Sequence, residues 1–400
     1  MIKIKPVIQH TVICPYCGGE AVSSRVLWQG IHVAVVASCS VCHVETVTDL
    51  PIGQAIFTPY QINTATGEVF GNEDALNWFG RPFLESLCKP DSLYPVVIQI
   101  EKRREISDAV IINCLDYLYG HSLLKLLNSD SHRETDRQVG LVVLIPSFLR
   151  WMVPKYVAEV WVVNIPLSKS QSYFPLLHAE IEKQLIRFNE VYLSLAHSHP
   201  SHFDIINFTG EKPCRLDVPV SLIAFIWRED RIWAGRWAVK LLKMFGLDLY
   251  WQNNKVTRLF KLLKGSIPEA EFVVVGLGKA THFPKWIRDA RVESFDEHSE
   301  RTMCRIYSES KLVIGVHGSN MLLPSAHAWA TIDIMPDERW PNLAQDILYQ
   351  GSNDDIRITS WRYRFLPLKT SVRQVALIAR ATLLFAKIAL KQFEQSIKGT

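Results

Sequence analysis

Apolar residues along this chain gather in short, almost unbroken runs, separated by stretches with helical spacing. VVIQI (96–100), DAVIINC (108–114), GLVVLIP (140–146) and AEVWVVN (158–164) are β-branched and apolar at nearly consecutive positions. Runs without a polar face predict strands buried on both sides, as in a parallel sheet. Between them, YGHSLLKLLN (119–128) and YFPLLHAEIEKQLIRF (173–188) space their apolar residues three and four apart, which predicts helices. FDIINF (203–208) is expected to close this half.

A second series has the same rhythm. Thr209-Gly-Glu-Lys-Pro-Cys-Arg-Leu-Asp-Val-Pro reads as a linker. VSLIAFIW (220–227), EFVVVG (271–276), KLVIGV (311–316) and ATIDIM (330–335) then read as buried strands, with helices over 231–246 and 256–265. An acidic, Ser-rich helix lies before KLVIGV, and a long final helix spans about 371–395. Alternating strands and helices predict an α/β protein with two doubly wound Rossmann-like domains facing a cleft. The expected division is a small N-terminal unit over 1–55, a first α/β domain over 95–212, and a second over 213–370. A terminal helical segment over 371–400 is expected to pack across the domains.

Composition narrows the function classes. The chain's 400 residues exceed one compact core, and 48% hydrophobic with 21% charged residues is ordinary for a folded protein. A net charge of +4, from 44 basic and 40 acidic residues, does not mark a nucleic-acid binder, yet allows a local basic pocket for phosphate. MIKIKPVIQHTVICPYC lacks the apolar centre of a secretory signal, and no run approaches the roughly 20 residues of a membrane span. VALIARATLLFAKIALK is interrupted by Arg380 and Lys387 and reads as an amphipathic helix packed on the protein. A cytoplasmic protein is expected.

Cysteine spacing gives the first chemistry. Cys14-Pro-Tyr-Cys17 and Cys39-Ser-Val-Cys42 are two CxxC pairs with 21 residues between them. Each pair sets two thiolates on one tight turn, and the strand-rich VLWQGIHVAVVAS between them can bring the turns together. Four thiolates in that arrangement suit a structural zinc ion in a zinc ribbon. A redox reading lacks the βαβ context such motifs need. Cys88, Cys114, Cys214 and Cys304 are scattered, as in a reduced protein, and His43 is a bystander. The ribbon has no Lys/Arg cluster, so docking of a protein or an acceptor is the expected role.

In open α/β sheets ligands bind beyond the carboxyl ends of the strands, so residues there are the candidates. KLVIGVHGSNMLLPSAHA (311–328) ends a strand on His317, Gly318, Ser319 and Asn320 and resumes as a helix. Amides at a helix start with small residues alongside suit a diphosphate, while Ser319 or Asn320 as a plain N-cap explains the same residues. SLIAFIWREDRIWAGRW sets Arg228 and Arg231 beyond another strand, either to neutralise a phosphate leaving group or as a surface ion-pair cluster. VVVGLGKATH sets Gly276, Gly278 and Lys279 beyond a third, a loop that allows close approach of a nucleotide. It lacks the third glycine of a dinucleotide fingerprint. Backbone around Val292 to Phe295 is positioned to read a base edge, with Ser299 or Glu300 on a ribose.

Taken together, a strand ending in Arg with a second Arg nearby, glycine after a middle strand, and SKLVIGVHGSNMLLPSAHA resemble the C-terminal domain of GT-B glycosyltransferases. The likeness covers roughly 220–340 and is nearest to the group with a GxHGAGL signature, glycosyltransferase family 61, with O-fucosyltransferase-like enzymes more distant. Its specific motif is Gly315-Val-His317-Gly318, after which this chain has Ser-Asn-Met in place of Ala-Gly-Leu. The resemblance implies an inverting, metal-independent transfer from a nucleotide-diphosphate sugar to a glycan, lipid-linked or protein acceptor. It implies donor phosphates held by arginine and helix-terminal amides. It also implies a base from the first domain, where Asp116 and His121 in INCLDYLYGHSLLKLLN are the candidates. HSHPSHFD (197–204) carries His197, His199 and His202 without metal-ligand spacing, and reads as an acceptor loop or a plain exposed one. Two other readings are an NAD-linked oxidoreductase using GLGKA and a non-catalytic zinc-ribbon adaptor on a degenerate α/β scaffold.

Overall fold

A computed structural model describes residues 1–133, 139–200, 202–217, 222–343, 345–350 and 356–398. Residue 201 of the histidine loop, 218–219 of the linker and the first two residues of the expected strand at 220 lie outside these. The chain forms two units, Met1–Phe208 and Thr209–Thr400.

The first unit holds two sheets. Strands β1 (Ile2–Lys5), β2 (Thr11–Ile13), β3 (Glu20–Trp28), β4 (Val33–Cys39), β5 (Glu45–Asp49), β6 (Tyr60–Ile62) and β7 (Val69–Gly71) come first. They are followed by β8 (Ile98–Lys102), β9 (Asp108–Asn113), β10 (Val139–Pro146), β11 (Glu159–Val163) and β12 (Val191–Leu193). β2 to β7 make an antiparallel meander that carries both cysteine pairs. The meander runs past residue 55 to Gly71, and β1 joins the other sheet instead, pairing Ile2 with Leu193.

That other sheet has the order β1-β12-β9-β10-β11-β8. β12, β9, β10 and β11 are parallel, whereas β8 is an antiparallel edge strand. Five residues (103–107) separate β8 from β9, too few for the crossover that parallel strands need. The strand closing this half is β12. FDIINF instead enters a short helix, Ile205–Thr209. A strand of three residues leaves no period to read, so Val191-Tyr-Leu was invisible as a pattern.

One core joins the two sheets. Cys14, Trp28, Val33, Val35 and Cys39 of the meander bury together with Ala109, Ile111, Phe174, Leu177, Ile181 and Phe188 of the α/β layer. Trp28 Nε1 donates to Glu182 at 3.0 Å, and Asn113 Nδ2 donates to the Gly30 carbonyl at 2.7 Å. The ribbon face turned to the helix Pro175–Leu185 is therefore structural.

The second unit is one sheet of six parallel strands, β13 (Leu222–Arg228), β14 (Glu271–Leu277), β15 (Arg288–Val292), β16 (Ser310–Val316), β17 (Ala330–Met335) and β18 (Tyr363–Pro367). Their order is β15-β14-β13-β16-β17-β18, the doubly wound Rossmann order 3-2-1-4-5-6. The helices Asp248–Ser266 and Val372–Leu384 bury Val256, Leu259, Phe260, Val375 and Ala379 against Phe225, Trp227 and Ile314. The final helix thus packs within this unit, and it breaks at Phe385 before Ala386–Lys398. The helix expected over 231–246 starts only at Arg236. Its predecessors form a turn pinned by Gln252, which accepts from the Trp233 amide at 2.7 Å and donates to the Arg228 carbonyl at 3.2 Å.

Candidate functional site

In the second sheet the strand order reverses between β13 and β16, and a doubly wound sheet opens a crevice there. β13 delivers Arg228 and β16 delivers His317 and Gly318 to that point. Arg231, one turn beyond β13, lies over Gly318. A β-carbon on Gly318 would stand 3.5 Å from Arg231 Nε and 2.9 Å from Asn320 Oδ1. Gly318 has φ +151° and occupies the N-cap position of a short turn, Ser319–Met321, without a side-chain cap. Neither Ser319 nor Asn320 is the N-cap. Asn320 folds back, its Nδ2 donating to the Val316 carbonyl at 3.4 Å. The helix that follows, Leu322–His327, has six residues, so little dipole develops at its start.

Arg228 is already partnered. Its Nε and Nη2 donate to the two carboxylate oxygens of Asp230 at 2.8 and 2.9 Å, a bidentate clamp. Arg231 Nε is 4.0 Å from the same carboxylate, at the limit of an ion pair. Of the two guanidiniums, Arg231 is the less neutralised.

The glycines at the end of β14 and just beyond it have local causes. Gly276 pairs with Trp227 across β13 and β14, and a β-carbon there would stand 2.1 Å from the Trp227 carbonyl oxygen. Gly278 faces the Glu229 side chain at 2.1 Å in the same sense, and Glu229 Oε1 accepts from the Ala280 amide at 3.1 Å. Lys279 is exposed. Ser299 is engaged in a capping box with Asp296, and the Val292 carbonyl accepts from the Gly278 amide at 2.8 Å. A dinucleotide fingerprint belongs in the turn after the first strand, here residues 229–235, and GLGKA follows the second. The oxidoreductase reading loses its motif.

His317 is fully buried. Its Nδ1 lies 2.5 Å from Asp333 Oδ2 and its Nε2 lies 3.3 Å from Asp346 Oδ2. Burial pushes the Asp333 carboxyl above its usual range; His317 draws it back, and Asp346 adds to the rise. Both ring nitrogens of His317 thus face carboxylates. Asp333 was readable as a lone charge inside ATIDIM, but the link to His317 depends on strand register, with Gly315 opposite Asp333. A second side chain missed by the sequence is Arg291, fully buried between the rings of Trp227 and Phe283 and held by Asp289 and Thr281. It ties the loop after β14 to β15.

In the first unit the corresponding reversal lies between β9 and β12. Asp116, just beyond β9, is buried, with Lys125 Nζ at 2.9 Å from Oδ2 and His121 Nδ1 at 3.3 Å from Oδ1. Burial would raise the Asp116 carboxyl, but Lys125 and His121 hold it well below the ordinary carboxylate range. Such a carboxylate does not take a proton at neutral pH; it orients its neighbours. Lys125 also donates to the Leu115 carbonyl at 2.8 Å, and beside it His132 Nε2 meets Ser194 Oγ at 2.8 Å. In the histidine loop, His197 is exposed and its carbonyl accepts from Asn128.

The four cysteines converge. The Sγ atoms of Cys14, Cys17, Cys39 and Cys42 all lie within 4.8 Å of one another, the one such metal-ligating group among the described residues. Cys14–Cys42, Cys17–Cys39 and Cys17–Cys42 are 3.6, 3.4 and 3.5 Å apart. A tetrahedron with zinc–sulfur bonds near 2.3 Å has edges of about 3.8 Å, so the sulfurs fit zinc closely. The two turns share a form. Gly18 donates to the Cys14 carbonyl and His43 to the Cys39 carbonyl, both with positive φ (72° and 57°), and the amides of Val41 and Cys42 point at Cys39 Sγ. His43 stands where the first turn has glycine.

No family profile matches this sequence, and no curated protein matches it. Among solved structures, the E. coli ADP-heptose LPS heptosyltransferase II matches with a TM-score of 0.36 and 15% sequence identity, over 70% of this chain and 100% of that chain. At that TM-score the match adds nothing to the strand orders described above. No helix among the described residues is long and apolar enough to cross a membrane.

Proposed function

We propose that this protein is a glycosyltransferase that moves a sugar from a nucleotide-diphosphate donor to an acceptor hydroxyl with inversion. The observation that carries this reading is Arg231 beside Gly318 at the reversal point of a 3-2-1-4-5-6 sheet, with Arg228 at the end of the adjoining strand β13. Glycine there lets a phosphate reach the backbone, and the guanidiniums supply charge where the leaving diphosphate accumulates it. Positive charge from arginine stands in the proposal where other transferases use a divalent cation.

His121 is the proposed base. Asp116 faces its Nδ1 and steadies the ring, and the imidazole takes the acceptor's proton in this proposal. The acceptor oxygen then bonds to the anomeric carbon as the bond from that carbon to the phosphate oxygen breaks, its electron pair leaving on the diphosphate. Asp116 and Lys125 position the ring. Zinc, held by the four thiolates, is structural, and the exposed side of the ribbon remains the proposed docking surface for a protein or acceptor.

The test is release of nucleoside diphosphate from UDP-, GDP-, CDP- and TDP-sugars by the full chain. Release from one nucleoside class, lowered in kcat but not in KM by His121→Ala, is expected. No release from any donor, with or without acceptor glycans, would contradict the reading.

A further inference from the structure

The helix Arg236–Met244, RWAVKLLKM, buries none of its residues. Trp237 is 85% exposed, Leu241 56% and Met244 70%, and their spacing of four and three sets them in one stripe. The apolar surface continues through Phe245 and Leu247 and onto the next helix with Tyr250 and Trp251, all exposed. Arg236, Lys240 and Lys243 repeat with the same spacing on the adjoining face, and the helix contains no acidic residue. Lys240 Nζ lies 5.9 Å from the centre of the Trp237 ring, so the basic and aromatic faces share a border.

We propose that this helix anchors the protein to the surface of a bilayer containing anionic lipid, lying in the interface plane. Its content is that of an interfacial helix, with Trp, Leu and Met in one stripe and Lys and Arg along its border. Tryptophan and tyrosine suit the boundary between acyl chains and headgroups, being apolar with one polar atom. The basic row complements anionic headgroups. The exposed apolar residues are spread over two helices and the turn between them, whereas a protein groove takes the ridge of a single helix. A second copy of this chain on a twofold axis would set like-charged rows against each other. The proposal does not depend on the nature of the donor site.

The experiment is co-sedimentation of the full chain with vesicles of phosphatidylcholine alone, and of equal parts phosphatidylcholine and phosphatidylglycerol, at low and high salt. Pelleting with the anionic vesicles only, weakened by salt, is expected. Trp237→Glu with Leu241→Glu abolishes it, and Lys240→Glu with Lys243→Glu weakens it by at least roughly fivefold per residue. None of these side chains is buried, so both variants keep the wild-type melting temperature. Equal binding to pure phosphatidylcholine, no binding, or binding indifferent to Trp237→Glu would overturn the proposal. So would a wild-type dimer in solution that Trp237→Glu dissociates.

Discussion

Arg231 rests on Gly318: its Cζ is 3.6 Å from the point where a β-carbon on that glycine would stand. Gly318→Ala therefore acts twice. It places a side chain at φ +151°, a strain of about 1–3 kcal/mol, and it pushes Asn320 Oδ1 aside while setting a methyl group against Arg231. A lowered melting temperature together with loss of diphosphate binding is expected. Gly235→Ala is the control, because φ there is −63° and nothing lies within 4 Å; stability unchanged or slightly raised is expected.

Zinc removal should unfold more than the ribbon. Cys14 and Cys39 belong to the same core as Ile111 and Phe188, so loss of the metal loosens the α/β layer as well. Metal analysis should find zinc at the four-thiolate site of Cys14, Cys17, Cys39 and Cys42. Chelation, followed by circular dichroism and thiol titration, should release five thiols as the first unit melts, the four ligands and the buried Cys114. Retention of its melting transition after complete chelation would contradict this.

Asp116 and His121 separate stability from catalysis. Asp116→Asn leaves Lys125 buried without its carboxylate, an expected cost of about 3–5 kcal/mol by denaturant unfolding. His121 keeps part of its side chain in solvent, whereas Asp116 and Lys125 are almost fully buried, so His121→Ala should cost less stability than Asp116→Asn while removing turnover. Equal stability losses would place His121 in the scaffold alone.

His327 sets an acid limb. It is buried, with Nδ1 bonded to the Leu323 carbonyl at 2.8 Å and Nε2 to Thr209 Oγ1 at 2.9 Å, and burial drives its pKa from 6.5 down to about 4. Between those values the unfolded chain binds the extra proton, so stability falls as pH drops from 6.5 toward 4, by up to about 3 kcal/mol. His327→Asn should flatten that limb in pH-dependent unfolding. An unchanged slope would assign the loss to other groups.

The parts of the fold legible in the sequence were those buried on both faces. β9, β10, β13, β14, β16 and β17 show as apolar runs because no water-facing side interrupts them. The edges were not legible. β15 reads Arg-Asp-Ala-Arg-Val and β18 reads Tyr-Arg-Phe-Leu-Pro, sequences equally suited to loops until a neighbouring strand supplies the pairing. The zinc site was fully spaced out in the chain, since two CxxC turns need only a hairpin to meet. Strand ends gave Arg228, Arg231 and Gly318, but not their division of labour. The Asp230 clamp on Arg228 and the His317–Asp333 contact depend on rotamer and register, which periodicity does not carry.

Transfer from a nucleotide-diphosphate donor requires first that a nucleoside diphosphate bind at the β13–β16 reversal. Calorimetric titration of UDP, GDP, CDP and TDP into wild type, Arg231→Ala and Asp230→Asn measures it. One nucleotide should bind wild type, bind Arg231→Ala at least about tenfold more weakly, and bind Asp230→Asn more tightly, because Arg228 is released from its clamp. Absence of binding to wild type, or affinities equal across the three proteins, would contradict the account.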